Sequence, residues 1–403
     1  MRQALFLEPV DAWSFRDGRP FEIGEAYEAR SLFPPYPWTV LGCLRTALLR
    51  ELCGDPDRYA DPGRHADPPG GKPCAACGAG PCRAAPRVGR PDGPAPFRIG
   101  PPLLGRRRED GGVDAYYPTP RDLVVLVVLD PPPRRCDPAK TALLAPLDAL
   151  PPGAAHALGD LAPVGRRGPE RVETPEAAYV DAGRLAAALA GDAPPWPWTP
   201  CAPSHAPEPR IGVGIDPKTR SVRQGQLYVR DVVRLEDGAG LVVATDQDLG
   251  LDGVVARLGG DGRLARLSRV APPAPPPLAE PRGPRFKVYL AAPAAFGDPA
   301  GATRDWRPAW LQGGVEGTEP RSGARVRLRG AAVGTLVPVG GWDLARREPR
   351  PIRWLVPAGA VYFFEAADAA AARAAAQALH GQCLADDEAM ARAGFGLAFA
   401  GRW

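Results

Sequence analysis

Lysine is almost missing from this chain of 403 residues. It stands only at Lys72, Lys140, Lys218 and Lys287, so the 50 basic residues are nearly all arginine. Histidine is scarce too, and none of His65, His156, His205 and His380 shares a motif with a Ser, Cys or carboxylate partner. That leaves little for general acid–base chemistry. No Walker loop, no H-E-x-x-H and no two-metal carboxylate cluster occurs, so phosphoryl transfer and metal-assisted hydrolysis have no visible machinery. No apolar run reaches transmembrane length, which excludes a spanning helix. The opening MRQALFLEPVDAW has too short an apolar run and too many acids for a secretory signal. It reads as a first strand, and a cytoplasmic protein is expected. The 52 prolines follow no G-X-Y period, which excludes collagen and marks long loops instead.

What is present starts with arginine. The net charge is only +4. Arginine suits planar recognition of phosphates and bases, although the abundance of Ala, Gly, Pro and Arg equally fits a GC-rich genome. The 8 cysteines sit in a cytoplasmic-looking chain, so disulfides are not expected. Cys43, Cys136, Cys201 and Cys383 are scattered. Cys74, Cys77 and Cys82 form a C-x2-C-x4-C signature that suits tetrahedral zinc, with Cys53 or His65 as fourth ligand. Cys53 is preferred, because a fourth thiolate gives a closed structural site. The expected cofactor is therefore a structural Zn2+ that staples an insertion; the alternative is a reduced loop without metal.

Residues 3–14 alternate as a strand does, and residues 38–52 repeat with a helical period. That period puts Val40, Leu44, Ala47, Leu48 and Leu52 on one face. Residues 54–96, dense in Pro, Gly and Asp, read as an irregular insertion that carries the cysteines. Strands are expected at 97–104 and 121–130, and 131–205 reads as mostly loop with one short helix near 181–190. A long hairpin with a polar tip is expected over 210–236, then a strand at 240–246 and a short helix around 251–258. The proline run 271–284 reads as a linker and domain boundary. Beyond it come strands at 285–292 and 325–334, a helix loosely near 303–312, a strand within 352–366, an alanine-rich helix at 367–380 and a final strand. Residues 1–270 and 285–403 both then follow β-α-β-β-α-β. The expected fold class is α+β, with two ferredoxin-like (RRM-like) domains, a long β-hairpin and a Cys-containing insertion.

Three segments have binding chemistry. The 210–236 hairpin carries Arg210, Lys218, Arg220, Arg223, Arg230 and Arg234 against Asp216 and Asp231, with Tyr228 among them. Such a ribbon suits gripping a phosphate backbone and wedging a base, or it is a solvated surface hairpin. The loop at 15–35 joins Arg16, Arg19 and Arg30 to Phe15, Phe21, Tyr27 and Phe33 ahead of a helix N-terminus, where phosphates bind. Glu22, Glu25 and Glu28 weaken its middle, and the alternative is a loop that closes the sheet. The closing GFGLAFAGRW holds Gly394, Gly396 and Gly401, which let a backbone lie close to RNA or to a neighbouring element. Asp216 and Asp343 are the acids to check for catalysis, yet a lone Asp in a turn more often bonds backbone amides.

Several segments together resemble one family. They are FRDGRPF, SLFPP and a helix with Gly42, Arg45 and Leu48; GIDPKTRSVRQGQLYVRD and GGDGRLARL; and GGWDLARREPRP, PAGAVYFFE and the terminal glycine segment. The ordered set resembles the RAMP superfamily of CRISPR-associated proteins, and is similar to third subunits of Cmr (type III-B) effector complexes. Residues 54–96 lie outside the resemblance. It implies a non-catalytic subunit that caps the 5′ repeat-derived tag of the guide RNA (crRNA). Its implied partners are the large polymerase-like subunit and the backbone RAMP subunits, with target RNA met only through the complex and no membrane. By the same resemblance Arg16, Arg19, Ser31, Phe33 and Arg45 belong to the tag-binding region. The hairpin becomes a thumb at the tag–guide junction, with Lys218, Thr219, Arg220, Arg223 and Tyr228, and the three closing glycines lie against RNA. The alternatives are a RAMP endoribonuclease or the equivalent subunit of a Csm (type III-A) complex. The first usually has an early His, whereas none precedes His65; the GGWD and PAGAVYFF segments favour Cmr over Csm.

Overall fold

The structure is a computed structural model that describes residues 3–16, 28–29, 31–53, 59, 84–90, 93–127, 140–150, 156–168, 170–175, 179–196, 202–203, 205–297, 304–311, 313–343 and 348–403. The principal elements in chain order are β1 (Gln3–Pro9), α1 (Pro37–Cys53), β2 (Leu103–Arg107), β3 (Val113–Pro118), β4 (Leu123–Val127), α2 (Ala182–Leu189), β5 (His205–Ile215), β6 (Val222–Leu235), β7 (Ala239–Thr245), β8 (Val255–Arg257), β9 (Leu264–Val270), β10 (Arg285–Leu290), β11 (Arg325–Ala332), β12 (Val361–Ala366), α3 (Ala369–Leu379), α4 (Glu388–Arg392) and β13 (Leu397–Gly401). The class is α+β, with more strand than helix.

The chain forms two compact units from interleaved segments. One comprises Met1–Val113, Pro203–Pro272 and Val339–Ile352; the other Asp114–Ala202, Pro273–Pro338 and Arg353–Trp403.

In the first unit the strands run in the order β2-β7-β1-β9-β8. All neighbours whose register is defined are antiparallel, with Leu7 opposite both Leu241 and Leu267. Alternation turns Leu5, Leu7, Leu241, Val243 and Leu267 to one face, where Val40, Leu44, Ala47 and Leu48 of α1 close a core. Burying each of these Val and Leu side chains contributes about 1.5–3 kcal/mol before ordering costs. The helical period of α1 is thus the main sequence signal for this unit.

The second unit has a sheet in the order β11-β12-β10-β13, extended by Glu316–Thr318 and Gln382–Cys383 at its edges. Phe286, Val288, Leu290, Leu328, Tyr362, Phe364, Ala398 and Ala400 make one core face. Ala372, Ala375, Ala376 and Leu379 of α3 pack on it. The Asp368 side chain caps this helix by accepting from the Ala371 amide at 2.8 Å. Trp306 and Trp310 pack on the same core, stacking near Tyr362 and Phe364.

The opposite face of that sheet is covered by residues of 114–202. Lys287 Nζ donates to Asp122 at 2.5 Å, and both side chains are buried. Tyr289 donates its hydroxyl proton to the Pro118 carbonyl at 2.6 Å, and Tyr117 meets Phe399 edge-on. Ala162 N–H donates to Arg329 O, and Arg402 N–H to Leu189 O, each at 2.7 Å.

Several expected elements differ. The helix expected around 251–258 is absent: Gly250 and Gly253 both take positive φ, and Val255–Arg257 pairs as a short strand with β9. The strand expected at 97–104 is a lone bridge at Ile99, and the ladder begins at Leu103, because Pro101 and Pro102 have no amide to donate. The helix expected near 303–312 is reduced to one 3₁₀ turn at Ala309–Leu311. Short strands at Thr141–Leu143, Ala145–Pro146, Val164–Gly165, Arg171–Glu173 and Tyr179–Asp181 occupy the stretch read as mostly loop. Gly394 and Gly396 precede the last strand, which covers only Leu397–Gly401.

Candidate nucleic-acid interface

β5 and β6 form the long hairpin. Arg210 lies opposite Arg230, Gly212 opposite Tyr228, Val213 opposite Leu227 and Ile215 opposite Val222, with a register shift between Val213 and Ile215. Its root is tied to the first unit. Trp13 and Val233 exchange backbone hydrogen bonds at 3.0 and 2.7 Å, and Trp13 Nε1 donates to Leu264 O at 3.1 Å. Asp11 is the hub of the charges there: Arg210, Arg234 and Arg263 reach it at 3.2, 3.1 and 2.8 Å. Glu208 takes Arg210 at 2.8 Å and Arg234 at 2.5 Å. Desolvation pushes the Asp11 carboxyl up, but the Ala12 amide, Arg234 and Arg210 outweigh it and hold it below the usual carboxylate range. Arg234 and Arg210 likewise hold Glu208 low.

The tip is a tight turn made by Asp216. Its Oδ1 accepts from the Lys218 and Thr219 amides at 2.8 and 3.3 Å, and its carbonyl accepts from Arg220 N–H at 2.7 Å. Arg220 sits at φ 55°, a left-handed conformation that this turn imposes on a non-glycine residue. The Asp216 carboxylate is thus a turn former, as the turn chemistry of Asp predicts. It also lies 3.7 Å from Arg223. Thr219 and Ser221 share a hydroxyl hydrogen bond of 2.7 Å. Lys218, Thr219, Arg220 and Arg223 are all exposed. Below the tip, Tyr228 lies across Gly212: a Cβ there would fall 2.2 Å from the Tyr228 ring. Glycine at 212 is therefore what lets the ring lie flat on the ribbon.

The other predicted residues fall elsewhere. Arg16 forms an isolated bridge with Ser31, whose hydroxyl accepts the Phe15 amide at 2.8 Å. Phe33 packs beside the first unit's core and lies 4.7 Å from the His205 ring. Arg19 lies outside the described residues. Arg45 donates to three carbonyls, Val88 at 3.0 Å, Gly93 at 3.3 Å and Arg90 at 2.7 Å, and so ties the 88–93 loop to α1. Gly394, Gly396 and Gly401 are buried. A Cβ on Gly396 (φ 74°) would meet Leu384 backbone at 2.8 Å, and one on Gly401 would meet Leu189 O at 2.4 Å. Both therefore serve a close approach of the chain to itself.

Cys53 ends α1, buried in the first unit's core with Val88. Cys74, Cys77, Cys82 and His65 lie outside the described residues. The other histidines have structural settings. His156 accepts from the Leu158 amide, His380 lies between Pro276 O and the Ala400 amide, and His205 is held below its ordinary value by burial. Asp343 pairs with Arg350 at 3.4 Å.

Sequence reasoning missed two features. One is the Asp11 hub, whose members are up to 252 residues apart. The other is that the hairpin faces differ chemically, a difference written in the I-G-V-G-I alternation of 211–215.

No curated protein matches this chain. Several solved chains are similar to it, two of them from Cmr-beta complexes. One, from a cryo-EM structure of the Type III-B Cmr-beta bound to cognate target RNA and AMPPnP, state 1, is 15% identical, with 89% of this chain and 86% of that chain covered and a TM-score of 0.45. The other, from the Type III-B Cmr-beta bound to cognate target RNA, is 14% identical at the same coverage and TM-score. The profile of the family described as CRISPR-associated protein (Cas_Cmr3) matches residues 5–403. With nearly the whole length matched, this chain belongs to the CRISPR-associated Cmr3 family.

Proposed function

We propose that this chain is a non-catalytic, RNA-binding subunit of a type III-B CRISPR effector complex. It caps the 5′ repeat-derived tag of the guide RNA and bridges the large polymerase-like subunit to the backbone RAMP subunits. The family match over 5–403 supports membership, and the exposed Lys218–Arg223 tip on a braced ribbon is the observation that carries RNA contact. Phosphate contacts need cations that project into solvent from a fixed frame. The tip supplies the cations, and Trp13 and Asp11 supply the frame.

Both units are read as ferredoxin-like, each with one helix of the pair. The strand orders β9-β1-β7-β2 and β13-β10-β12-β11 support this, since each is fourth-first-third-second within its unit. The outer face of the second sheet is covered, so RNA is assigned to the hairpin, read as a thumb, and to the Arg16–Phe33 loop rather than to an open sheet. Cys53 with Cys74, Cys77 and Cys82 is assigned a structural zinc.

The test of RNA contact is the salt dependence of binding to a single-stranded RNA bearing the repeat-derived tag. Changing Lys218, Arg220 and Arg223 together to Gln should weaken binding and lower the slope of log K against log salt by about 0.7 for each lost phosphate contact. An unchanged slope refutes RNA contact at the tip. For zinc, metal analysis should find about one equivalent that Cys77→Ser removes; a metal content indifferent to that change refutes the site.

A further inference from the structure

The distal hairpin has two unlike faces. Ile211, Val213 and Ile215 alternate with Gly212 and Gly214 along β5. Across the ladder, Val229, Leu227 and Val222 lie opposite the three aliphatics. The distal part of one face is thus aliphatic, with Asp231 opposite Pro209 the acid on it nearer the root, and Ile211, Val213, Ile215, Val222 and Leu227 are 41–74% exposed there. They are five of the twelve large hydrophobic residues exposed anywhere among the described residues. Towards the root the same face passes through Val233 and Leu235 into the first unit's core. The opposite face carries Arg210, Arg230 and Tyr228, and the cations Lys218 and Arg220 are at the tip.

We infer that this aliphatic face is a docking surface for an apolar patch on a neighbouring protein subunit. The inference rests on the effector-complex reading above and specifies which side of the hairpin meets protein. The charge distribution decides the occupant. A polyanion needs cations and hydrogen-bond donors, and the ribbon confines these to its tip and other face. Aliphatic side chains can wedge between bases, but a wedge needs phosphate contacts beside it, and this face instead carries the Asp231 carboxylate, which repels phosphates. β-Branched and leucine side chains pack against other apolar side chains, and a contiguous exposed patch of them marks a contact site; Glu28–Ala29 adds a short third strand beside Val229–Arg230. The Gly212 and Gly214 positions flatten the opposite side, which keeps bulk and polarity segregated between the two faces.

The test places a photoreactive benzoyl-phenylalanine at Val213 in the full chain, within an effector complex reconstituted from its guide RNA and companion subunits. The same group at Lys218 is the control. Position 213 should crosslink to a companion protein subunit, and position 218 to RNA. A crosslink from 213 to RNA or to a second copy of this chain, or none at all, overturns the inference. Failure at 218 alone counts against RNA contact at the tip and leaves the docking face standing. In a second measurement, Val213→Thr with Leu227→Thr should weaken binding to the crosslinked subunit at least about tenfold, a difference of about 1.4 kcal/mol. RNA affinity of the free chain should stay within about twofold. Unchanged subunit affinity also overturns the inference.

Discussion

The long hairpin and the second unit's sheet invite the same RNA reading from sequence, and the structure treats them in opposite ways. The hairpin leaves its tip cations, Lys218, Arg220 and Arg223, and an aliphatic face in solvent. The sheet turns its outer face inward, and its one lysine, Lys287, is buried on Asp122. Its closing glycines admit the chain's own backbone. The difference teaches that basic and glycine-rich composition marks a binding site only where the fold leaves it uncovered. A residue type describes chemistry, whereas availability depends on what else the chain brings to that face.

The sharpest way to break this comparison is to uncouple the buried pair. Lys287→Met alone leaves Asp122 charged and buried, and should cost about 3–5 kcal/mol. Adding Asp122→Leu should restore most of it, read as the shift in denaturant midpoint. Loss in the single variant without recovery in the double would mean that the pair does more than neutralise itself. Next in size is Gly401→Val, which forces a side chain against Leu189 O and should cost about 1–3 kcal/mol. If the folded variant lost RNA affinity while its thermal midpoint stayed put, the segment would face RNA after all.

Smaller effects are expected at the hairpin. Asp11→Asn should loosen the root, measured as faster proteolytic nicking within 205–235. Because Asp11 is held below its ordinary value when folded, its contribution is present at neutral pH and fades as pH falls through the carboxylate range. The wild-type and Asp11→Asn proteins should therefore converge in acid. Smallest of all, the triple Gln change at Lys218, Arg220 and Arg223 should move the thermal midpoint by no more than about 0.5 kcal/mol equivalent. A larger shift would show that the tip is structural, like the sheet.

Much of this was legible in the sequence for physical reasons. α1 announced itself because Val40, Leu44, Ala47 and Leu48 repeat with the turn of a helix. The hairpin did so because its strands alternate around an Asp-Pro turn. The 251–258 helix failed because two glycines offered left-handed turns that a short apolar pattern could not override. Arg45 read as a phosphate ligand, whereas the 88–93 carbonyls that hold it are more than forty positions away. The cover over the second sheet was invisible for the same reason. No local pattern in 114–202 says that Asp122 will find Lys287, and the strands there are too short to show a period.

The interleaving of the two units has a consequence for how the chain is made. β1 is made well before its partners, since it lies between β7 and β9, more than two hundred residues later. β10 waits for β12 and β13 on its two sides. Closing such distant contacts is entropically costly and slow, so neither sheet completes early in synthesis. A nascent chain released before residues 397–401 would leave one edge of β10 unpaired, an open template for another chain. Quality control of a stalled product would then act on that edge.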